Sequence, residues 1–296
     1  MVAPHPVALA LVLLALPAGA AEQDALGRRV HLSAPPTRIV SMAPEVTETL
    51  FALGLGQRVV GVSQYCNYPP AAARLPKVGG FVNPSLERIL ALRPDLVVGS
   101  RGNPRQIWHD LEQARVPSFA IDPATLPQVL TAIAQLGRLT GREPAAAALL
   151  ATLRARLDRV DRAVARLRAR PRVLLVYSLN PLWVAGSRTF PDDILRRAGG
   201  ANAGAGLRGY GQYSMEKLIA ASPDAILAIP MVGQTPAQAV ARLRAAPGFS
   251  SLPCVRAGRV FSLDPDLVNR AGPRIADAVE TVQRLLAPVA SKINPR

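Results

Sequence analysis

Two glutamates, Glu87 and Glu216, stand at the same place in two copies of one short pattern. The stretch from Ser85 through Glu87 and Pro94-Asp95 to Val98 aligns without gaps on the stretch from Ser214 through Glu216 and Pro223-Asp224 to Leu227, an offset of 129 residues, the difference between 216 and 87. Each copy reads as a Ser N-cap, a short amphipathic helix, a Pro-Asp break and a buried strand. An acid in the first helical turn favours the macrodipole by about 0.3–1 kcal/mol, which accounts for either glutamate alone. The pairing asks for more: two carboxylates, one in each half of the chain, are suited to basic residues on a two-fold symmetric partner.

Catalytic groups are scarce. The histidines are His5, His31 and His109. The sequence contains no H-E-x-x-H, G-x-x-x-x-G-K-[ST], G-x-S-x-G or C-x-x-C motif. His109 follows Trp108 on an expected helix and reads as a surface residue. The cluster from Gly199 to Gly206 follows a helix instead of joining a strand to a helix N-terminus, so it reads as a C-cap and loop rather than a phosphate cradle. A grouping of His and carboxylates that would hold zinc or manganese is missing, and no enzyme activity is expected.

The elements that must position the glutamates follow from periodicity. Short β-branched runs at Arg38–Met42, Val59–Val62 and Asp95–Gly99 alternate with helical segments, and the rhythm resumes at Val173–Tyr177, Ala225–Ile229 and Arg259–Leu263, with helices near 191–198, 236–245 and 273–287. This predicts an α/β fold of two Rossmann-like lobes with parallel central sheets. Between them runs Glu143 to Arg170, rich in Ala, Leu and Arg, with Pro144 suited to the first turn and Pro171 beyond the end. Leu150, Leu153, Leu157, Val160, Val164 and Leu167 recur at spacings of three and four, so the connection is predicted to be one long rigid helix. At about 1.5 Å per residue, some 26 residues extend roughly 39 Å, a strut and not a flexible linker.

The chain has 296 residues, a length that suits about two domains. Its formal net charge of +15 comes almost wholly from arginine, since only Lys77, Lys217 and Lys292 are lysines. The arginines are dispersed and aromatics, at 4%, do not interleave with them, which argues against nucleic-acid binding. Val7 to Leu16 has the length of a signal-peptide h-region and is followed by Ala18 and Ala20 in an A-x-A arrangement. Without Lys or Arg the n-region is weak, but export is expected, with no Cys near the cleavage site to carry a lipid. The expected division is a signal peptide at 1–20, an N-terminal lobe at 21–142, the linking helix at 143–170 and a C-terminal lobe at 171–296. No other segment is apolar enough to span a bilayer, so the mature chain should be free in the periplasm. Cys66 and Cys254 are expected to be buried thiols rather than a disulfide.

Here the sequence closely resembles the periplasmic substrate-binding proteins of ATP-driven importers for cobalamin, haem and ferric siderophores, with those for cobalamin nearest. Arg38 to Pro44 with Thr47-Glu48, Gly61 to Pro70 with its Tyr-Cys-Asn-Tyr-Pro-Pro loop, and Arg270-Ala271-Gly272-Pro273-Arg274-Ile275 carry the likeness, which covers essentially the whole mature chain. The resemblance implies two lobes on one rigid helix with the ligand cleft between them, and two surface glutamates, at Glu87 and Glu216, that dock on arginines of a dimeric permease with its ATPase subunits. It implies cleft aromatics at Tyr65, Phe81, Trp183 and Tyr210, and an acid and a base at Asp266 and Arg270. It departs from the cobalamin pattern at Ser100-Arg101, where a tryptophan is expected, and at Phe81 and Tyr210, which replace tryptophans. Stacked aromatics with a few polar groups suit a flat, mostly apolar macrocycle. Haem, with Tyr65 or Tyr210 as axial ligand, and ferric siderophores remain the rival guests. No resident cofactor is implied: the corrinoid would be transported ligand, captured by a monomer.

Overall fold

A computed structural model describes residues 21–231 and 233–293. The expected signal peptide lies outside the described residues. In the N-terminal lobe the strands Val59–Val62, Ile39–Ser41, Leu96–Ser100 and Ser118–Ile121 lie side by side in that order, all parallel. Burial on both faces explains their composition, since Ile39, Val40, Leu96, Val97 and Val98 are completely buried.

The C-terminal lobe departs from the all-parallel expectation. Its sheet runs Tyr210–Gln212, Leu182–Ala185, Arg172–Leu179, Ala225–Ala228, Val260–Ser262, and the first two strands are antiparallel to their neighbours. The chain turns back at Asn180-Pro181, a segment too short for the crossover a parallel neighbour needs, so Leu182–Ala185 forms a hairpin with Arg172–Leu179.

The aligned repeat is structural. Ser85 and Ser214 cap the helices Leu86–Ala91 and Met215–Ala221, each accepting a bond from the amide three residues on, at 3.3 and 3.2 Å. Each helix is followed by a left-handed residue before the proline, Arg93 at φ 45° and Ser222 at φ 41°, conformations that non-glycine residues adopt only when the surroundings impose them. The aspartates then close both sheets in the same way: Asp95 accepts the Arg38 amide at 2.9 Å, and Asp224 the Arg172 amide at 2.8 Å.

The linking helix spans Glu143–Val164, about 33 Å at 1.5 Å per residue, and ends before the expected Arg170. Its last turn tightens, with Arg166 and Leu167 bonding the carbonyls three residues back, and Arg170 precedes Pro171, which disfavours helix. Gly199, at φ 90°, lets the chain pass close to that turn, because a Cβ there would meet Leu167 Cδ1 at 2.7 Å. With the Gly200 amide bonding Leu195 at 2.9 Å, it closes the helix Phe190–Arg197 as a C-cap.

One apolar core runs through the molecule, from Ile39, Leu50 and Phe119 in the first lobe through Leu150, Leu153 and Leu157 of the linking helix to Leu175, Ile194 and Val279 in the second. Arg156 of the linking helix pairs with Asp277 and Glu280 of the C-terminal helix Ile275–Ala290. Asp193 of the second lobe accepts the first amide of the N-lobe helix Leu126–Leu139 at 2.7 Å. A shared core and polar ties on several elements leave little freedom for the lobes to swing.

Candidate functional site: the cleft between the lobes

The strands of a parallel sheet present their carboxyl ends to loops, and in such folds ligands collect there. A cavity of about 370 Å³ opens between the lobes. Pro44, Glu45, Tyr65, Phe81, Ser100 and Asp122 line it from the first lobe, and Phe190, Asn269 and Ala271 from the second. A second cavity of about 670 Å³, at the ends of Ala225–Ala228 and Val260–Ser262, is lined by Tyr177, Met231, Gln234, Asp266 and again Asn269.

Tyr65, half exposed, and Phe81, partly buried, share the interlobe wall. Phe81 is fixed from behind: Asn103 donates to its carbonyl at 2.8 Å, and its ring lies against Gly102. Where the cobalamin pattern has a tryptophan, Ser100 faces the cavity and Arg101 pairs with Asp122 at 3.2 Å.

Trp183 and Tyr210 line neither cavity. Both stand exposed on one face of the C-lobe sheet, Trp183 opposite Gln212 and Tyr210 opposite Ala185. Tyr210 meets the edge of Tyr177, ring centroids 5.5 Å apart at 86°. Tyr177, which sequence reasoning passed over as a strand residue, lines the second cavity and donates its hydroxyl to Asn269. Burial, and after it the neighbouring Tyr210, hold the Tyr177 phenol far above its ordinary range, so it remains a neutral donor.

Asp266 and Arg270 are brought together, with Asp266 on the second cavity and Arg270 bound to it at 2.7 Å. The arginine is largely consumed by the fold. It reaches Glu48 at 3.0 Å, Asn67 at 2.7 Å and the Tyr65 carbonyl at 3.2 Å, and its side chain is only 10% exposed. Arg274 grips the same carboxylate at 2.7 and 2.8 Å and lies over the Tyr68 ring, 4.3 Å from its centroid. Glu48, 1% exposed, is thus clamped between two guanidiniums from the other lobe. Buried charge survives only when paired and hydrogen-bonded, and this cluster also pins the Tyr65-Asn67-Tyr68 loop at the cavity mouth.

Near the loop, Thr47 bonds the Cys66 sulfur at 3.1 Å, and burial pushes that thiol up to about 11. Both cysteines are free and buried, as expected. Glu45 was not singled out from sequence, where a first-turn acid looks like any other. Burial raises its carboxyl above the ordinary carboxylate range and the Glu48 charge adds to this, against opposing effects of its own backbone amide, Arg270 and the Ser100 hydroxyl. No group of three or more His, Cys, Asp or Glu that could hold a metal occurs among the described residues, and none of their helices is long and apolar enough to cross a membrane.

Glu87 and Glu216 are both exposed, each in the first turn of its short helix, one on each lobe.

Two α/β lobes braced by one helix and a shared core, with a cavity opening where they meet and a second beside it in the C-terminal lobe, define a two-lobed solute-binding protein. The chain belongs to the periplasmic binding protein family, whose sequence profile matches residues 39–267. It is similar to the vitamin B12-binding protein of Vibrio parahaemolyticus, at 30% identity over 83% of this chain and 87% of that one. Among solved structures it is similar to a periplasmic haem-binding protein in complex with two haems, at 36% identity and TM-score 0.77 over 86% of this chain and 98% of that one. It also resembles the periplasmic vitamin B12-binding protein of Vibrio cholerae, at 29% identity and TM-score 0.76 over 88% and 99% of the two chains.

Proposed function

We propose that this protein is exported to the periplasm, captures a cobalamin-type corrinoid between its lobes and delivers it to a dimeric ABC permease with its ATPase subunits. The observation that carries the reading is the interlobe cavity walled by Tyr65 and Phe81, with Asn269 common to it and to the larger cavity beyond. Together they offer aromatic surface to a flat ring and polar groups to its rim. Relatives named for vitamin B12 binding support this guest. Asp266 would meet the guest's edge, and Arg270 acts chiefly by holding Asp266 and the Tyr65 loop. Trp183 and Tyr210, exposed on the adjoining sheet face, extend the aromatic surface for a guest larger than the cavity. Capture is passive and closure small, with no chemical step, because the shared core resists lobe rotation. Glu87 and Glu216 dock the loaded monomer.

A haem guest is the second reading, favoured by the 36% identity with a haem-binding protein and by the Tyr65 phenol on the cavity wall. Calorimetric titration of the mature protein with cyanocobalamin, haem and a ferric hydroxamate, side by side, separates them. The expected result is saturable binding of cyanocobalamin with no new axial coordination in its spectrum. Binding of haem with a shifted Soret band and none of cyanocobalamin would replace the guest and leave the capture reading standing.

A further inference from the structure

Glu45 differs from the other charged groups around the cleft. Glu48 behind it is saturated by Arg270 and Arg274, Asp266 is held by Arg270 and Asn67, and Asp122 across the cavity is paired with Arg101. Among the described residues no lysine or arginine forms an ion pair with Glu45, although its side chain is on the wall of the interlobe cavity beside Ser100 and Tyr65. Its backbone is held in place: Pro44 opens the helix Pro44–Ala52, and Gly272 of the second lobe lies so close that a Cβ there would stand 3.4 Å from the Glu45 Cα, Cβ and carbonyl oxygen.

We propose that Glu45 is a specificity-determining residue of this cleft, selecting macrocycles edged with amides over those edged with free carboxylates. The inference rests on the capture reading above. A carboxyl group bonds an amide in either protonation state, as acceptor from N–H or as donor to C=O. A guest carboxylate can bond it only if one of the two acids is protonated, and otherwise meets a like charge in a partly desolvated cavity. Where both acids are charged, the poorly hydrated surroundings of Glu45 make their repulsion cost more than it would in water.

The test uses two matched pairs of guests: cyanocobalamin with its monocarboxylic acid, in which one edge propionamide is hydrolysed, and haem dimethyl ester with haem. The wild-type protein should prefer the uncharged edge within the pair it binds by about tenfold or more. E45Q should bring the ratio to within about threefold of unity, mainly by tightening the carboxylate member. Should E45Q fail to fold, the wild-type ratio is followed as the pH is raised: the Glu45 carboxyl, held above its ordinary range by burial, gains charge as the pH rises, and the preference should widen. Equal binding of both members, a preference for the carboxylate, an unchanged ratio in E45Q, a ratio flat with pH, or binding of neither pair overturns the proposal. Binding of the haem pair alone defeats the cobalamin reading, while the ratio within that pair still decides the role of Glu45.

Discussion

Glu48→Ala is expected to destabilise the protein by about 3–5 kcal/mol, because it strands two largely enclosed guanidiniums that now share one buried carboxylate. Arg270 and Arg274 are 10% and 16% exposed, and each loses its bond to Glu48. Asp266 and Asn67 still serve Arg270, but Arg274 would retain only a long bond to the Asp266 carbonyl and its place over Tyr68. The cluster crosses between the lobes, so the loss falls on their alignment as well as on global stability. Urea unfolding should show the midpoint shift, and the melting temperature should fall on the order of 10 °C. Glu48→Gln, which keeps an acceptor oxygen, should cost less. A loss below about 1 kcal/mol for the alanine variant would mean that water reaches and solvates the arginines, and that the cluster is not the brace described.

The second large effect is expected in cells. Reversing both exposed carboxylates, Glu87→Arg with Glu216→Arg, should reduce uptake of the guest at least about a hundredfold while leaving its affinity for the purified protein unchanged, since like charges opposed across an interface cost several kcal/mol. Each reversal removes a favourable macrodipole interaction of about 0.3–1 kcal/mol, too little to unfold the chain, and the Ser85 and Ser214 caps remain. Neither glutamate lines the cavities, so calorimetry on the same variant separates docking from binding. Uptake that survives the double reversal would remove these residues from the docking surface.

Much of this was legible before the fold was known, for identifiable reasons. The repeat carried Glu87 and Glu216, and the structure extends it to paired details such as Asp95 and Asp224 closing their sheets and Arg93 and Ser222 turning left-handed before proline. Buried strands such as Leu96–Ser100 and Ala225–Ala228 announce themselves by unbroken apolar runs. Leu182–Ala185 and Tyr210–Gln212 do not, because they are short and held by antiparallel pairing that local periodicity cannot show. Tyr65 and Phe81 came from resemblance and share a wall, whereas Trp183 and Tyr210 stand outside both cavities. Arg270 was read as a ligand contact, and the structure spends most of its donors on Glu48, Asn67 and Asp266. Glu45 was invisible for the opposite reason: its importance depends on which neighbouring charges are already matched, and that is settled only when the lobes meet.

The most direct test of the account is the structure of the loaded protein. It should show the corrinoid ring against Tyr65 and Phe81 and its edge against Glu45, with Asp266 contacting that edge from the other lobe and the two lobes in nearly their present arrangement. A guest seated on the outer surface of either lobe, or lobes rotated so far that the Glu48 cluster is broken, would contradict it.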